Sequence, residues 1–275
     1  MKNTYFLQDS GNEQKLEQFG NYLLMRPSAG SVWKPSLEKK RWEQADATFT
    51  REKNAGWIWK KPIPSSWEME FFSFRFLLKP TPFGHVGIFP EHALLWEWME
   101  KRIEPSSRIL NLFAYTGGAT IVAAKKGASV CHVDASAPVV SWARENAHIN
   151  QLERANIRWI VDDVVRFLKR EVKRASFYDG ILLDPPTFGR GAKKEMFKIE
   201  RDLPEILDLC LALLSEKPLF LVLSCHTPLW TPLVVHNLLE QKMKKKGGRV
   251  ESGEMILPSQ ACYPIPSGSF ARWQP

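Results

Sequence analysis

From about residue 90 onward a short apolar run is followed by a stretch of helical period, five times in succession. The apolar runs are "RILNLF", "SVCHVDA", "IRWIV", "YDGILLD" and "PLFLVLSC", each of strand length. Behind the first stands "GATIVAAKKG", closed by Gly127 as a C-cap, and behind the second "PVVSWARENAHIN", with Val139, Trp142, Ala143 and Ala147 on one face. "VVRFLKREVKR" follows the third. "LPEILDLCLALL" follows the fourth, with Ile206, Leu209, Cys210, Leu213 and Leu214 at helical spacing and Pro204 expected in a first turn. "PLVVHNLLEQKMKKK" follows the fifth. Strands joined by amphipathic helices enter a mostly parallel sheet covered by those helices. In such sheets ligands gather beyond the carboxyl ends of the strands, at the switch in strand order. The residues at those ends are the ones to read for function.

Before residue 80 the texture differs. Trp33, Trp42, Trp57, Trp59 and Trp67 all fall there, and "GWIWKK" and "MEFFSFRFLL" read as strands, because aromatic side chains suit a pleated, half-buried surface. "KPTPFG" then punctuates the chain. The expected organisation is a small β-rich domain over 1–82 and an α/β domain over 83–275. Four cysteines (Cys131, Cys210, Cys225, Cys262) stand far apart without a CxxC pair, so neither a zinc site nor a disulfide framework is expected, and a reducing cytoplasm is the default. No apolar stretch reaches membrane-spanning length, and the first residues lack the apolar core of a signal peptide. The formal charge of +8 permits a polyanionic partner without requiring one.

The strand ends form a set. "NLFAYTGGAT" places Gly117 and Gly118 where a backbone turns tightly, for a ligand or for packing alone. Asp134 ends the second strand, where a carboxylate accepts hydrogen bonds from both hydroxyls of a ribose or caps the next helix. "VDDV" ends the third with an acid suited to an adenine amino group, or again to a cap. Asp184 ends the fourth. Without a Walker lysine after Gly118 a nucleoside triphosphate is disfavoured. Glycines followed by three acids fit an adenosine group with little phosphate recognition, an S-adenosylmethionine pocket more than a nicotinamide one.

With "FGHVGIFPEH", "ILNLFAYTGGAT", "HVDAS", "WARENAHIN", "RWIVDDVVRFLKRE", "YDGILLDPPTFGRG" and the terminal "FARWQP", the chain resembles class I S-adenosylmethionine-dependent methyltransferases. More narrowly, it is similar to the family of bacterial large-subunit (23S) ribosomal RNA methyltransferases acting on cytosine C5 or guanine. The resemblance runs from about residue 80 to 275 and implies a Rossmann-like fold, a seven-stranded, mostly parallel sheet with helices on both faces, behind a small β-rich N-terminal domain. It implies S-adenosyl-L-methionine as cofactor, no metal, and RNA as partner. Asn111, Phe113, Tyr115, Thr116 and Gly117 would form the first cofactor loop. Asp134 would hold the ribose, Ala135 and Ser136 would lie beside the adenine, and Asp163 would take its amino group. Asp184 and Pro185 would sit at the methionine end, with Phe89, Pro90 and Glu91 closing from the N-terminal side. No separate RNA-binding domain of the PUA type is recognised in front.

"DPPTF" supplies the acceptor side. Pro186 holds Pro185 extended, and neither has an N–H to donate, so the rim exposes carbonyl acceptors. Phe188 beyond it is either a stacking face for a flat base or part of the core, and Arg190 follows as a substrate contact. Asp184 is the expected catalytic carboxylate. Cys225, in "VLSCHTP", is the second catalytic candidate, because cytosine C5 becomes nucleophilic only once a thiolate adds at C6. The Ser-Cys pair matches the cytosine-C5 members, while His226 and Thr227 depart from their usual small residues. A buried cysteine that only packs is the competing reading. Basic runs at "FLKREVKR", "GRGAKK" and "KMKKKGGR" track a phosphate backbone or form solvated faces. The leading expectation is methylation of a ribosomal RNA base. Methylation of a protein or small molecule, or a non-catalytic cofactor-binding scaffold, stands as the alternative.

Overall fold

The computed structural model describes residues 3–51, 56–190 and 196–275. The chain divides into two compact units, Met1–Glu91 with Ile256–Ser267, and His92–Met255 with Gly268–Pro275. The first unit thus runs to residue 91, past the 82/83 boundary read from the sequence, and takes in a later segment that no composition shift marks.

In the first unit β1 (Tyr5–Gly11), β2 (Gln14–Phe19), β3 (Tyr22–Pro27), β4 (Ala47–Thr50) and β5 (Gly56–Trp59) form a sheet in that order. Its neighbours are antiparallel except β3 and β4, which are parallel; the connection between them holds the one-turn helix α1 (Lys39–Trp42). Asp9, fully buried, pins this connection by accepting hydrogen bonds from the N–H groups of Ser36 (3.1 Å) and Leu37 (2.8 Å) and the Trp42 indole (2.9 Å). "MEFFSFRFLL" is a hairpin of β6 (Trp67–Phe71) and β7 (Phe74–Leu78). Phe72 and Ser73 between them take φ of 53° and 62°, the left-handed pair that a two-residue turn of matching twist requires.

Beside β2 lies a buried ion pair. Arg26 donates to Glu17 through Nε (2.7 Å) and Nη2 (2.9 Å), and the Tyr5 hydroxyl donates to the same carboxylate at 3.0 Å. Burial alone would raise the Glu17 pKa, but Arg26 and Lys15 outweigh it and hold the carboxyl below its ordinary value.

The second unit opens with α2 (Ala93–Glu100), followed by β8 (Arg108–Leu112), α3 (Gly118–Lys125), β9 (Ser129–Asp134), α4 (Ala137–Ile149) and β10 (Ile157–Val161). Then come α5 (Val164–Lys173), β11 (Gly180–Leu183), the short hairpin of β12 (Phe188–Arg190) and β13 (Met196–Lys198), α6 (Ile199–Leu213), β14 (Phe220–Cys225) and α7 (Pro232–Met243). The strands β15 (Arg249–Leu257) and β16 (Ile265–Gln274) come last. Among the described residues the sheet has seven strands in the order β10-β9-β8-β11-β14-β16-β15, parallel from β10 to β14, with β16 antiparallel to β14. The order reverses between β8 and β11.

Two helices differ in detail from the sequence reading. Val140, not Val139, joins Ala143 and Ala147 in the buried stripe of α4, and α6 starts at Ile199, so Pro204 is interior. Without an N–H, Pro204 leaves the Glu200 carbonyl without its i+4 donor. Leu110, Leu112, Ile181, Leu183, Leu221, Leu223 and Cys225 belong to one buried cluster with the helix residues Phe167, Ile206, Cys210 and Leu239. Alternate residues of each strand take part, so these are one face of the sheet.

Candidate active site

The loop after β8 is wound unusually tightly. Phe113, Tyr115 and Gly117 take φ of 55°, 47° and 88°, so left-handed conformations recur at every second residue. For Phe and Tyr this costs on the order of 1–3 kcal/mol each, a strain typical of ligand-holding loops. The turn is anchored from below: Asn111 Nδ2 donates to Thr120 Oγ1 (3.0 Å), which lies 2.9 Å from Nδ1 of His132. Burial pushes His132 down to about 3, with Arg144 adding to the effect, so the imidazole is neutral. Asn146 donates to the Thr116 carbonyl at 2.9 Å, and the rings of Phe113 and Phe197 lie 5.5 Å apart. Gly117 and Gly118 serve different ends. A Cβ on Gly118 would fall 2.3 Å from Trp96, so that glycine admits α2 against α3, whereas Gly117 supplies the left-handed turn itself.

Asp134 stands at the end of β9, facing this loop. Its carboxylate accepts from the backbone N–H of Tyr115 (3.0 Å) and of Ser136 (2.9 Å). Burial raises its pKa, while the N–H groups of Ser136, Tyr115 and Ala135 work in the opposite direction. The acid is therefore fixed by backbone from two loops, with Ala135 and Ser136 immediately beyond. A tight left-handed loop beside a held carboxylate fits the ribose edge of an adenosyl group. Asp163 caps α5 by accepting from Arg166 N–H at 2.9 Å, while its neighbour Asp162 is engaged by Arg166 and Arg170. Phe89 and Glu91 belong to the first unit, Phe89 beside His85 (5.1 Å between rings) and Glu91 buried.

Asp184 follows β11, at the carboxyl edge beside the reversal. The parallel register places Leu183 opposite Leu223, which brings Ser224 next to Asp184. Ser224 Oγ donates to Asp184 Oδ1 at 2.6 Å. Pro185 is buried and Pro186 exposed, and Thr187 is tied to Thr227 by a 2.9 Å hydroxyl contact, which joins the proline rim to the end of β14. Phe188 is 71% exposed, so the core reading of that ring does not hold. Arg190 lies in β12, opposite Met196. Sequence reading did not connect Asp184 with His92, at the start of α2, or with His226, just past β14. Their Nε2 atoms lie 3.6 Å and 3.7 Å from its carboxylate.

Cys225 stands apart from this group. It is 1% exposed and lies in the helix-covered cluster, whereas Ser224, one residue earlier in the strand, points to the opposite face and holds Asp184. Burial raises the thiol above its ordinary value. The basic runs differ among themselves. On "FLKREVKR" Lys169 pairs with Glu205 (2.7 Å), Arg174 with Glu171 (3.0 Å) and Arg170 with Asp162, a salt-bridged helix face. Lys244, Lys245 and Lys246 are exposed, and most of "GRGAKK" lies outside the described residues.

A parallel sheet reversing beside an acid-lined edge, closed by an antiparallel strand inserted between β14 and β15, is the architecture of the class I methyltransferases. The chain belongs to the S-adenosylmethionine-dependent methyltransferase family, whose profile matches residues 24–218. It is 40% identical in sequence to the SAM-dependent methyltransferase from Agrobacterium tumefaciens, with a TM-score of 0.94 over 98% of this chain and 90% of that one. It is 36% identical over 154 residues to the ribosomal RNA large subunit methyltransferase K/L of Hahella chejuensis, covering 55% of this chain and 21% of that protein. The protein of the same name from Syntrophotalea carbinolica is 38% identical over 142 residues, 51% of this chain and 19% of its own length. The chain thus spans about a fifth of the length of these curated relatives. The fold is mixed α/β, with a β-rich N-terminal region ahead of the methyltransferase sheet in the chain. No described helix is long and apolar enough to cross a membrane.

Asp134→Ala is expected to weaken binding of both S-adenosylmethionine and S-adenosylhomocysteine by about 1–3 kcal/mol, the cost of leaving buried polar partners unpaired. Calorimetry on folded protein measures it, and unchanged affinity would remove Asp134 from the cofactor site.

Proposed function

We propose that this protein methylates a base in ribosomal RNA, at an exocyclic nitrogen and not at cytosine C5. The observation that carries this reading is the rim after β11, where Asp184, the Pro185 carbonyl and the exposed ring of Phe188 follow one another closely along the chain. A flat base stacks on such a ring, and the oxygens accept hydrogen bonds from its amino group. The names of the Hahella and Syntrophotalea relatives support RNA as the substrate.

S-adenosylmethionine supplies an electrophilic methyl group when bound. Asp134 holds the ribose, Asp163 the adenine amino group, and the loop from Asn111 to Gly117 with Ala135 and Ser136 encloses the adenosyl part. Asp184, fixed by Ser224, turns the acceptor amine so that its lone pair faces the methyl, and such positioning supplies much of the rate of an in-line displacement. Pro186, Phe188 and Arg190 contact the substrate. Cys225 packs the core; its place on the helix-covered face supports this role.

The test is incubation of the protein and methyl-labelled cofactor with separate unmodified ribosomal RNA, protein and metabolite fractions. Label is expected in the RNA, on a base nitrogen, and Cys225→Ser is expected to retain activity within a few-fold. Label confined to the protein or metabolite fraction overturns the RNA reading. Label at cytosine C5, with loss of activity in Cys225→Ser and a covalent adduct on 5-fluorocytosine RNA, overturns the nitrogen reading.

A further inference from the structure

We infer that His92, Asp184 and His226 form a binding site for a single divalent transition-metal ion of the zinc class. The three residues come from elements far apart in the chain and converge within the second unit. His92 stands in the turn Pro90–His92 that leads into α2, Asp184 after β11, and His226 after β14. One ligand atom from each lies within 4.8 Å of the other two.

The two Nε2 atoms lie within hydrogen-bond distance of each other, at 3.2 Å, whereas His92 Nε2 stands 3.6 Å from Asp184 Oδ2 and His226 Nε2 3.7 Å from Asp184 Oδ1. Neither of the last two is a hydrogen bond. Ligands at about 2.0–2.1 Å around a tetrahedral ion stand ~3.3 Å from one another, which matches the separation of the two imidazole nitrogens and lies near each nitrogen's distance to its own carboxylate oxygen. Two imidazoles and one carboxylate are also the donor types such an ion prefers.

The surroundings orient the ligands. Ser224 donates to Asp184 Oδ1 at 2.6 Å and so fixes the carboxylate plane, the kind of outer contact that ligating carboxylates use. Gly268 (φ +131°) stands against His226: a Cβ there would lie 2.8 Å from the Cys225 carbonyl and 3.0 Å from His226 Nδ1. A glycine therefore leaves the ring its position. The three side chains are 13%, 27% and 34% exposed, so an ion has access from solvent, and three protein ligands leave a coordination position for water or another small donor. The absence of a cysteine pair, which removed zinc from the sequence expectations, does not bear on a site built from histidine and aspartate.

The test uses the full chain, stripped with a chelator and titrated with Co2+, whose visible absorption reports ligand number and type, and with Zn2+ followed by metal analysis after gel filtration. One equivalent of either ion is expected, with the spectrum of a nitrogen- and oxygen-ligated centre. His92→Ala and His226→Ala are each expected to lower affinity at least about tenfold, while His236→Ala, on α7, leaves it unchanged. Circular dichroism confirms that each variant is folded. Absence of stoichiometric binding, unchanged affinity in both variants, or a thiolate-to-cobalt band overturns the assignment. S-adenosylhomocysteine binding, measured separately, tells failure of this site from failure of the methyltransferase reading.

Discussion

Asp184→Ala is expected to lower turnover by at least about 10²-fold while affinity for S-adenosylhomocysteine stays within about tenfold. The carboxylate is held from one side by Ser224 and stands beside a rim whose other polar groups are backbone carbonyls. Alanine removes a side chain that positions the acceptor, and the loop around Asp134 is left as it was. Single-turnover rates with labelled cofactor, set beside calorimetric affinities, separate the two effects. Equal losses in binding and turnover would make Asp184 a cofactor ligand and nothing more.

The largest stability effect is expected in the other unit. Arg26→Met leaves the fully buried Glu17 with the Tyr5 hydroxyl and Lys15 but without its guanidinium, and truncating one partner of such a pair costs about 3–5 kcal/mol. The effect has a definite pH dependence. In the parent protein the folded Glu17 carboxyl sits below its unfolded value, so its contribution is complete above that unfolded value, about 4.3. It is lost as pH falls through the folded value. In the variant, burial outweighs the partners that remain and raises the folded value, so stability is lost as pH rises. Both trends act in one direction, and the gap between the two proteins narrows on acidification. Urea unfolding at about pH 7 and near pH 4 measures it; a constant gap would show that Arg26 acts through packing alone.

The α/β order was legible because each βα unit carries its own signal: an apolar run, a turn residue, then a helical stripe. The strand-end positions of Asp134 and Asp184 were legible by the same logic, since the end of a strand can be read locally, whereas the choice of Asp163 within "VDDV" rested on the resemblance. α2 went unread although Leu95, Trp96, Trp98 and Met99 are all buried in it, because "GIFPEH" before it reads as loop. The register within α4 slipped by one residue, as adjacent valines offer two stripes of equal quality. His92 and His226 lie 134 positions apart in sequence, and only the sheet order brings both to Asp184. The closing strand pair was not read from its own residues, for β15 ("RVESGEMIL") has neither a long apolar run nor a regular alternation, and no helix follows it.

That strand pair also governs when the protein becomes whole. β16 is made after every other described strand, yet it occupies an interior place between β14 and β15, and the segment 256–267 beside it belongs to the first unit, where the Ser10 hydroxyl donates to the Tyr263 carbonyl at 3.2 Å. During synthesis β14 therefore emerges as an open edge, and β15 has no neighbour in the sheet until residues 265–274 leave the ribosome. Pairings of such sequence separation close late and slowly. An exposed apolar edge held open for that time is where a nascent chain goes astray. Neither unit is finished by the chain that begins it, so this protein is assembled as one cooperative product and not as two domains in succession.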